Sequence, residues 1–415
     1  MRRHHFLLAV ASLLCALAGA TIGAAPAGAA VNGIDTFTGA GIGAPEGMTA
    51  GPDGNVWFAT SLGDRVGKVT PAGVVTTFPM DTTFGPNDIT AGPDGNLWFT
   101  ARQGSRIGRI TPAGSLSTFT HPDLDRPQAI TAGPDGNLWF TSQQNDRIGK
   151  ITTEGLITMF PVNANVDGPY GIGAGPDGNV WFTTLGTDRI GRITPGGTIT
   201  TFSNANVSNP EAITAGPDGN LWFTSTANSR IGRITPSGTI TTFTGANAGP
   251  GDIVAGPDGN LWFSLTTNHR IGRMTTAGVM ATFTSALVQF PEGIVVGPDD
   301  NVWFASSGNG RVGRLTTPKC SGEVATVVLG GYGAPTSGND VIVGTAGVDV
   351  INAGTGADIV CGRGGNDTLR GQAGSDELDG AGGNDTLNGG SEFDACIGGT
   401  GTNTLSKCEA VPVRP

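Results

Sequence analysis

Residues 129–160 read AITAGPDGNLWFTSQQNDRIGKITTEGLITMF, and this pattern predicts four short strands. The apolar residues 129–132 form the first strand and lead into the turn GPDGN, where Pro pre-sets φ and Gly supplies a positive φ. Residues 138–141 form the second strand, the alternating segment 147–152 the third, and residues 156–160 the fourth. Short strands separated by regular turns are typical of one blade of a β-propeller.

The same pattern occurs seven times, and each copy carries one tryptophan. These residues are Trp57, Trp98, Trp139, Trp181, Trp222, Trp262 and Trp303. Successive tryptophans are 40 to 42 residues apart, which is a spacing typical of propeller blades. The sequence therefore predicts a seven-bladed β-propeller over residues 31–317.

Incomplete copies at the two ends of this region predict how the ring closes. The seventh copy ends near Pro318 without a fourth strand, whereas residues 34–37 (IDTF) are a fourth strand without the other three. We therefore expect residues 34–37 to complete the seventh blade, which would pair two otherwise open sheet edges.

The composition agrees with an all-β chain. There are 70 Gly and 26 Pro residues, too many for a long helical bundle because both are poor helix formers. Only 14% of the residues are charged and 37% are hydrophobic, which argues against a solvated, disordered chain.

The repeated WFT and RIGRIT elements resemble those of the streptogramin B lyase (virginiamycin B lyase) family over all seven copies. The resemblance implies a propeller that opens a cyclic lactone antibiotic by elimination, helped by a magnesium ion. The family's working residues are a His after the leading Pro of each of the last two blades, and a Glu shortly after the last Trp-Phe-Ala. Here Gly251 and Glu292 occupy the two His positions, and Ser306 and Ser307 follow Ala305. Because Gly and Ser cannot act as general bases, we expect a ligand-binding or scaffold module rather than a streptogramin lyase.

The resemblance also implies that the residues after each leading Pro line one mouth of the axial pore. These are Glu46, Asn87, Gln128, Tyr170, Glu211, Asp252 and Glu292. Several acids at one mouth could hold a divalent cation or the hydroxyls of a sugar, whereas the alternative is a solvated polar rim. The rival functional class is a metal-dependent lyase or hydrolase, of the carbon–oxygen lyase type, acting at this pore.

A second period, of nine residues, runs from 338 to 406. Its aspartates are Asp340, Asp349, Asp358, Asp367, Asp376, Asp385 and Asp394, with Asn403 at the eighth position. An apolar residue follows two positions later and Gly fills the turns, so the units match the RTX (haemolysin-type) calcium-binding nonapeptide. We expect a short parallel β-roll over residues 338–408 in which turns two units apart stack. The aspartates and turn carbonyls would supply the hard oxygen ligands that Ca²⁺ prefers.

The N-terminus reads as an export signal. Arg2 and Arg3 precede an apolar run that begins at Phe6, and residues 27–29 (AGA) form an A-x-A-like cleavage site. We therefore expect residues 1–30 to be a signal peptide, cleavage near residue 30 and a secreted, extracellular, monomeric bacterial protein without a membrane span. The formal net charge of −11 makes nucleic acid a poor partner and leaves calcium and a glycan or cell-surface polymer as candidates.

Four cysteines remain after removal of the signal: Cys320, Cys361, Cys396 and Cys408. An even count in an exported chain favours two disulfides, and three connectivities are open. Proximity in sequence favours Cys320–Cys361 and Cys396–Cys408. Residues 318–337 would be a linker between propeller and roll.

Overall fold

The computed structural model describes residues 33–80, 84–246, 248–329 and 334–409. The expected signal peptide, residues 1–30, lies outside the described residues. Within the described ranges, strands account for nearly all regular structure, and no helix is long and apolar enough to cross a membrane.

The N-terminal part of the fold is a seven-bladed propeller, and each blade is a four-stranded antiparallel sheet. It begins with strand β1 (Ile34–Phe37). Blade 1 contains β2 (Pro45–Ala50), β3 (Val56–Thr60), β4 (Arg65–Val69) and β5 (Val75–Pro79). Blade 2 contains β6 (Pro86–Ala91), β7 (Leu97–Ala101), β8 (Arg106–Ile110) and β9 (Leu116–Phe119). Blade 3 contains β10 (Pro127–Ala132), β11 (Leu138–Ser142), β12 (Arg147–Ile151) and β13 (Ile157–Met159).

The next blades repeat this order. Blade 4 contains β14 (Pro169–Ala174), β15 (Val180–Thr184), β16 (Arg189–Ile193) and β17 (Ile199–Ser203). Blade 5 contains β18 (Pro210–Ala215), β19 (Leu221–Ser225), β20 (Arg230–Ile234) and β21 (Ile240–Phe243). Blade 6 contains β22 (Pro250–Ala255), β23 (Leu261–Leu265), β24 (Arg270–Met274) and β25 (Met280–Thr284). Blade 7 contains β26 (Pro291–Val296), β27 (Val302–Ser306) and β28 (Arg311–Leu315). Short 3₁₀ turns occur at Gln143–Asn145, Thr266–Asn268 and Ser307–Asn309.

The ring closes as the sequence predicted. Strand β1 pairs antiparallel with β28, so that Ile34 lies opposite Leu315 and Phe37 opposite Val312. Phe37 also stacks on Trp303 with ring centroids 5.3 Å apart, as Phe78 stacks on Trp57 within blade 1 at 5.5 Å. The N-terminal strand therefore supplies both the hydrogen bonds and the aromatic ring that blade 7 otherwise lacks.

Each blade's core is built around its tryptophan. In blade 1, the indole N–H of Trp57 donates a 2.9 Å hydrogen bond to Asp53 in the GPDGN turn, and the ring is fully buried. Lys68 lies over the same ring and pairs with Asp53 at 3.0 Å. Gly67 must be Gly because a Cβ there would overlap the ring of Phe58. The turn aspartates therefore have a structural role, consistent with their short-range turn chemistry.

The C-terminal part is a parallel β-solenoid of about four turns made of two sheets. One sheet contains β31 (Val327–Val328), β32 (Val341–Val343), β34 (Ile359–Cys361), β36 (Glu377–Asp379) and β38 (Ala395–Ile397). The other contains β33 (Val350–Thr355), β35 (Thr368–Ala373), β37 (Thr386–Ser391) and β39 (Thr404–Ser406). The repeated apolar residues, such as Leu369, Leu378 and Leu387, are fully buried between the sheets.

The described residues of the segment 318–337, which the sequence predicts as a linker, include short strands. The segment contains β29 (Lys319–Cys320) and β30 (Glu323–Val324), which pair with each other, and β31, which adds a parallel strand to the roll. The carbonyl of Thr326 accepts a 3.3 Å hydrogen bond from Arg273 of blade 6. This segment therefore contacts both the roll and the propeller.

Candidate functional site

The first candidate site is a cavity on the propeller axis. Its volume is about 350 Å³, and it is lined by the second and third residues of all seven first strands. In each of these strands the register shifts between the leading Pro and the Ile or Met three residues later, for example between Pro127 and Ile130. Such a bulge re-aims side chains, and here it directs them toward the axis.

Threonine hydroxyls of the second strands hold these bulges in place. Thr141 Oγ1 accepts the N–H of Ala129 at 3.0 Å and donates to the carbonyl of Tyr170 in the next blade at 2.7 Å. Thr100, Thr183, Thr224 and Ser264 accept the matching N–H in their own blades. The repeated WFT element therefore joins neighbouring blades at the cavity wall, a role that the sequence alone did not reveal.

All seven residues predicted at the pore mouth line this one cavity: Glu46, Asn87, Gln128, Tyr170, Glu211, Asp252 and Glu292. Their side chains are not equally available to a ligand. The Asn87 amide donates a 2.9 Å hydrogen bond to the carbonyl of Gln128. Asp252 accepts the N–H of Ile253 on one oxygen and that of Ile294, in the next blade, on the other. Asp252 therefore links blade 6 to blade 7 of the propeller, a role that its sequence position did not indicate.

Sequence reasoning missed the counterpart of Asp252 in blade 2. Asp88 accepts the N–H of Ile89 and, across to blade 3, the N–H of Ile130, each at 2.8 Å. Burial raises the pKa of Asp88 to about 7 and that of Asp252 to about 6. The signal that could have identified Asp88 is its position, two residues after a leading Pro, which is the position of Asp252.

Three glutamates remain as acceptors in the cavity. Burial raises the pKa of Glu46, Glu211 and Glu292, to about 7 for the last two. Repulsion from Glu46 and Glu211 adds to the increase at Glu292. Glu211 and Glu292 therefore have pKa values near neutral pH.

Two further polar groups face this acidic cavity. Gln128 is 3% exposed, and its side-chain Oε1 has no hydrogen-bond partner among the described residues. Arg102 is the one basic residue in the lining, and its Nε likewise lacks a partner in the described part of the chain. Across residues 33–80, 84–246, 248–329 and 334–409, no three His, Cys, Asp or Glu side chains converge closely enough to hold a metal ion.

The second candidate site is the stack of turns in the roll. The N–H of each of the first five repeated aspartates donates to Oδ1 of the aspartate 18 residues later, for example from Asp349 to Asp367 at 2.8 Å. The expected stacking of turns two units apart is therefore present. Asn403 continues this ladder by accepting the N–H of Asp385 at 2.8 Å.

The second carboxylate oxygen divides the aspartates into two groups. Oδ2 is buried and has no described partner in five of them: Asp358, Asp367, Asp376, Asp385 and Asp394. In the first two units a threonine fills that role. Thr336 donates to Asp340 Oδ2, and Thr345 donates to Asp349 Oδ2, each through its backbone N–H at 2.6 Å and its hydroxyl at 3.0 Å.

Glycines lie beside four of the five unpartnered Oδ2 atoms, those of Asp367, Asp376, Asp385 and Asp394, and their surroundings fit a calcium ion. A Cβ added to Gly380 would lie 2.5 Å from Asp385 Oδ2 and 2.9 Å from the carbonyl of Gly398, so the glycine keeps a small space open between two oxygens. Since few carboxylates converge, main-chain carbonyls of stacked turns would supply the other ligands, as Ca²⁺ accepts. Burial raises the pKa of Asp376 to about 6, with repulsion from Asp358 and Asp394 contributing.

Both expected disulfides are present. Cys320 is bonded to Cys361, and Cys396 to Cys408. The first bridge ties strand β29 to the roll, and the second closes its C-terminal end.

Two family profiles match this chain, one over the propeller and one over the roll. The profile of the virginiamycin B lyase family matches residues 34–125, 83–250 and 204–346. The profile of the RTX calcium-binding nonapeptide repeat matches residues 336–369, 362–396 and 370–405. No significant match was found among curated proteins.

Solved structures resemble the propeller. A streptogramin B lyase is 30% identical, with 68% of this chain and 97% of that chain covered and a TM-score of 0.64. The virginiamycin B lyase from Staphylococcus aureus is 34% identical, covering 69% and 99% with a TM-score of 0.65. A catalytically inactive histidine-to-alanine variant of the S. aureus enzyme, solved with quinupristin, is 33% identical with the same coverage and TM-score.

Proposed function

This chain belongs to the virginiamycin B lyase family, and from that relationship we propose that it is a secreted calcium-binding protein whose propeller binds a ligand in the axial cavity. The proposed ligand is a glycan or another cell-surface polymer. Catalysis of streptogramin cleavage is not part of this function.

The observation that carries the proposal is that the axial cavity is present but the residues expected for catalysis in the family are replaced. Gly251 and Glu292 stand where the resemblance places two histidines. Ser306 donates its hydroxyl to the carbonyl of Gln289 at 3.0 Å, and Ser307 donates to that of Phe290 at 2.9 Å. Neither hydroxyl is a base, so the expected Glu has no replacement at this point of the chain.

The oxygen atoms in the cavity lining favour a ligand that carries many hydrogen-bond donors. Glu46, Glu211, Glu292 and Gln128 carry oxygen acceptors, and Tyr170 adds an aromatic side chain to the lining. Sugar hydroxyls donate to such groups while the sugar's C–H face packs on a ring. A concave site with a few placed polar groups is the usual form of a small-molecule site.

Calcium would have a structural role in the roll. The five aspartates with an unpartnered Oδ2 are the proposed ligands, because a buried carboxylate oxygen without a partner is costly and a cation removes that cost. Asp340 and Asp349 were also predicted as ligands, but threonine donors already satisfy them. They serve better as the N-terminal end of the stack.

Secretion is consistent with these features. Two disulfides form and persist in oxidising compartments, and millimolar calcium is available outside cells. N-terminal sequencing of the protein from the culture medium tests the expected cleavage near residue 30.

The test of ligand binding uses the full chain with calcium on a glycan array. We expect binding that is lost in Glu211→Gln and Glu292→Gln and kept in Glu154→Gln, because Glu154 is exposed in a turn of blade 3, outside the cavity lining. Equal binding by all three variants would place the ligand elsewhere, and absence of any glycan signal would contradict the glycan assignment.

A second function, a lyase, is favoured by one observation. Burial and neighbouring carboxylates raise the pKa of Glu292 to about 7, so this residue titrates where the histidine it replaces would. A lactone-opening assay with quinupristin and Mg²⁺ distinguishes the two. Turnover that disappears in Glu292→Gln would support the lyase, and no turnover would leave the binding function.

A further inference from the structure

The cavity lining contains one buried side-chain acceptor without a hydrogen-bond partner among the described residues, Gln128 Oε1. Only 3% of the surface of Gln128 is exposed, yet its Oε1 has no hydrogen-bond partner among the described residues. Leaving a buried acceptor unpaired costs about 1–3 kcal/mol. A group that lines a cavity and lacks a protein donor is matched by a donor on the ligand.

The carboxylates around Gln128 outnumber the positive charges, and Arg102 acts as a counter-charge for Glu46. Glu292 has no hydrogen-bond donor in the described part of the protein, and its nearest charged neighbours are Glu46, Glu211 and Asp252. Asp88 and Asp252 direct their oxygens at backbone N–H groups. The three glutamates therefore repel one another across the cavity, and Arg102 is the one cation in the lining.

We propose that the group recognised in this cavity is an organic ammonium, held between Glu292, Glu211 and the Gln128 side-chain oxygen. This inference rests on the proposed function and names the chemical class of its ligand. An ammonium carries three donors and no acceptor, which matches a wall of acceptors. It also favours an aromatic ring, and Tyr170 lines the same cavity.

A metal ion fits this cavity less well than an ammonium. Divalent cations need several oxygens within about 2.0–2.6 Å of one point. The described acids do not converge in that way, because Glu46, Glu211 and Glu292 come from blades 1, 5 and 7. An ammonium is larger and tolerates acceptors spread around it.

The test compares two ligands that differ in one charge. Aminopropyl glucoside has an amine with a pKa near 10, as in lysine, and its N-acetylated form is neutral with the same sugar. Ligand-observed NMR titration of the full chain in calcium gives both dissociation constants. We expect the amine to bind at least about tenfold more tightly, a difference of about 1.4 kcal/mol.

Three variants locate the ammonium. Glu292→Gln should abolish the preference for the amine. Arg102→Gln should strengthen amine binding, because it removes the one positive charge in the lining, and a gain in affinity does not arise from damaged folding. Gln128→Met, nearly the same shape without the acceptor, should weaken amine binding.

The outcomes separate this inference from the proposed function. Equal binding of the two glucosides overturns the ammonium assignment and leaves a sugar-binding propeller. Binding of neither also overturns the ammonium assignment, and the glycan array then decides the proposed function by itself. An amine preference unchanged in both Glu292→Gln and Arg102→Gln places the ammonium outside this cavity and overturns the assignment.

Discussion

The backbone N–H of Asp358 donates a 2.9 Å hydrogen bond to Oδ1 of Asp376, one full turn of the roll further along the chain. The second oxygen of Asp376 is buried and unpartnered in the described chain. The two oxygens of the Asp376 carboxylate thus have different roles. Oδ1 accepts a backbone hydrogen bond, and Oδ2 remains available to a cation. Two carboxylates about 5 Å apart repel by roughly 3 kcal/mol at an effective dielectric of 20, and calcium would remove this repulsion.

This division predicts the effect of removing one calcium ligand. Asp376→Asn keeps the Oδ1 acceptor, as Asn403 does naturally, but loses a carboxylate charge. We expect the variant to bind fewer calcium ions per chain than the wild type, and more weakly than the 10⁻⁴–10⁻³ M range typical of extracellular modules. Isothermal titration calorimetry of the full chain measures both quantities.

The matched control is Asp349→Asn, in a unit where Thr345 already donates to Oδ2. Its calcium stoichiometry should equal that of the wild type. A loss of calcium in Asp349→Asn as large as in Asp376→Asn would show that the threonine does not replace the ion.

Ring closure predicts a large cost for truncating Ile34. This side chain is 0% exposed in β1, so Ile34→Ala should lower the free energy of unfolding by about 2–5 kcal/mol. Leu116 has the equivalent strand position in blade 2 but is 41% exposed, and Leu116→Ala should cost far less. Tryptophan fluorescence during denaturation measures both, because all seven tryptophans lie in the blades. Deletion of residues 31–38 should lower the melting temperature further, and an unchanged curve would refute closure by this strand.

Blade 6 differs from the other blades in the environment of its ion pair. Arg273 and Asp258 lie 2.6 Å apart with side chains 3% and 0% exposed, whereas Arg233 and Asp218 of blade 5 lie 3.7 Å apart and are 31% and 20% exposed. Arg273→Gln leaves a buried carboxylate without its partner and should cost about 3–5 kcal/mol. Arg233→Gln should cost about 0–1 kcal/mol. Equal losses in chemical denaturation would contradict this difference.

The buried aspartates predict how propeller stability depends on pH. The pKa of Asp88 is about 7 in the folded chain and near 3.9 in an unfolded one, so the folded chain binds the proton more tightly. Its contribution to stability is therefore largest below about pH 4 and is lost as the pH rises through about 7. We expect the melting temperature, followed by tryptophan fluorescence, to fall between about pH 4 and pH 7.

Asp88→Asn should reduce that slope, because the group that releases the proton is gone. The turn aspartates act in the opposite direction: hydrogen bonds from Trp57 and Asn55 help hold the pKa of Asp53 below its usual value, so stability also falls in strong acid. An unaltered slope in the variant would assign the pH dependence to other groups.

The blade count, the closing strand and the roll could be predicted because each depends on a local period that the sequence displays directly. A tryptophan every 41 residues or so and an aspartate every nine need no knowledge of distant contacts. The disulfides followed from proximity alone. The seven cavity residues could be placed together because all of them follow a leading Pro.

The remaining features depend on contacts between distant parts of the chain. Asp252 links two blades of the propeller because the N–H of Ile294, 42 residues later, donates to its carboxylate. Arg273 is buried because Thr326, 53 residues later, covers blade 6. The threonines at 336 and 345 resemble ordinary variation in a turn until their hydroxyls are seen to donate to the carboxylates.

The pairing of Ile34 with Leu315 also sets an order of events during biosynthesis. Synthesis proceeds from the N-terminus at about 5–20 residues per second, so the strand that completes blade 7 is made roughly 15–55 seconds before its partner. Throughout that interval the apolar edge of β1 has no native neighbour. The propeller ring therefore cannot close until residue 315 has been made, and a non-local pairing of this kind folds slowly.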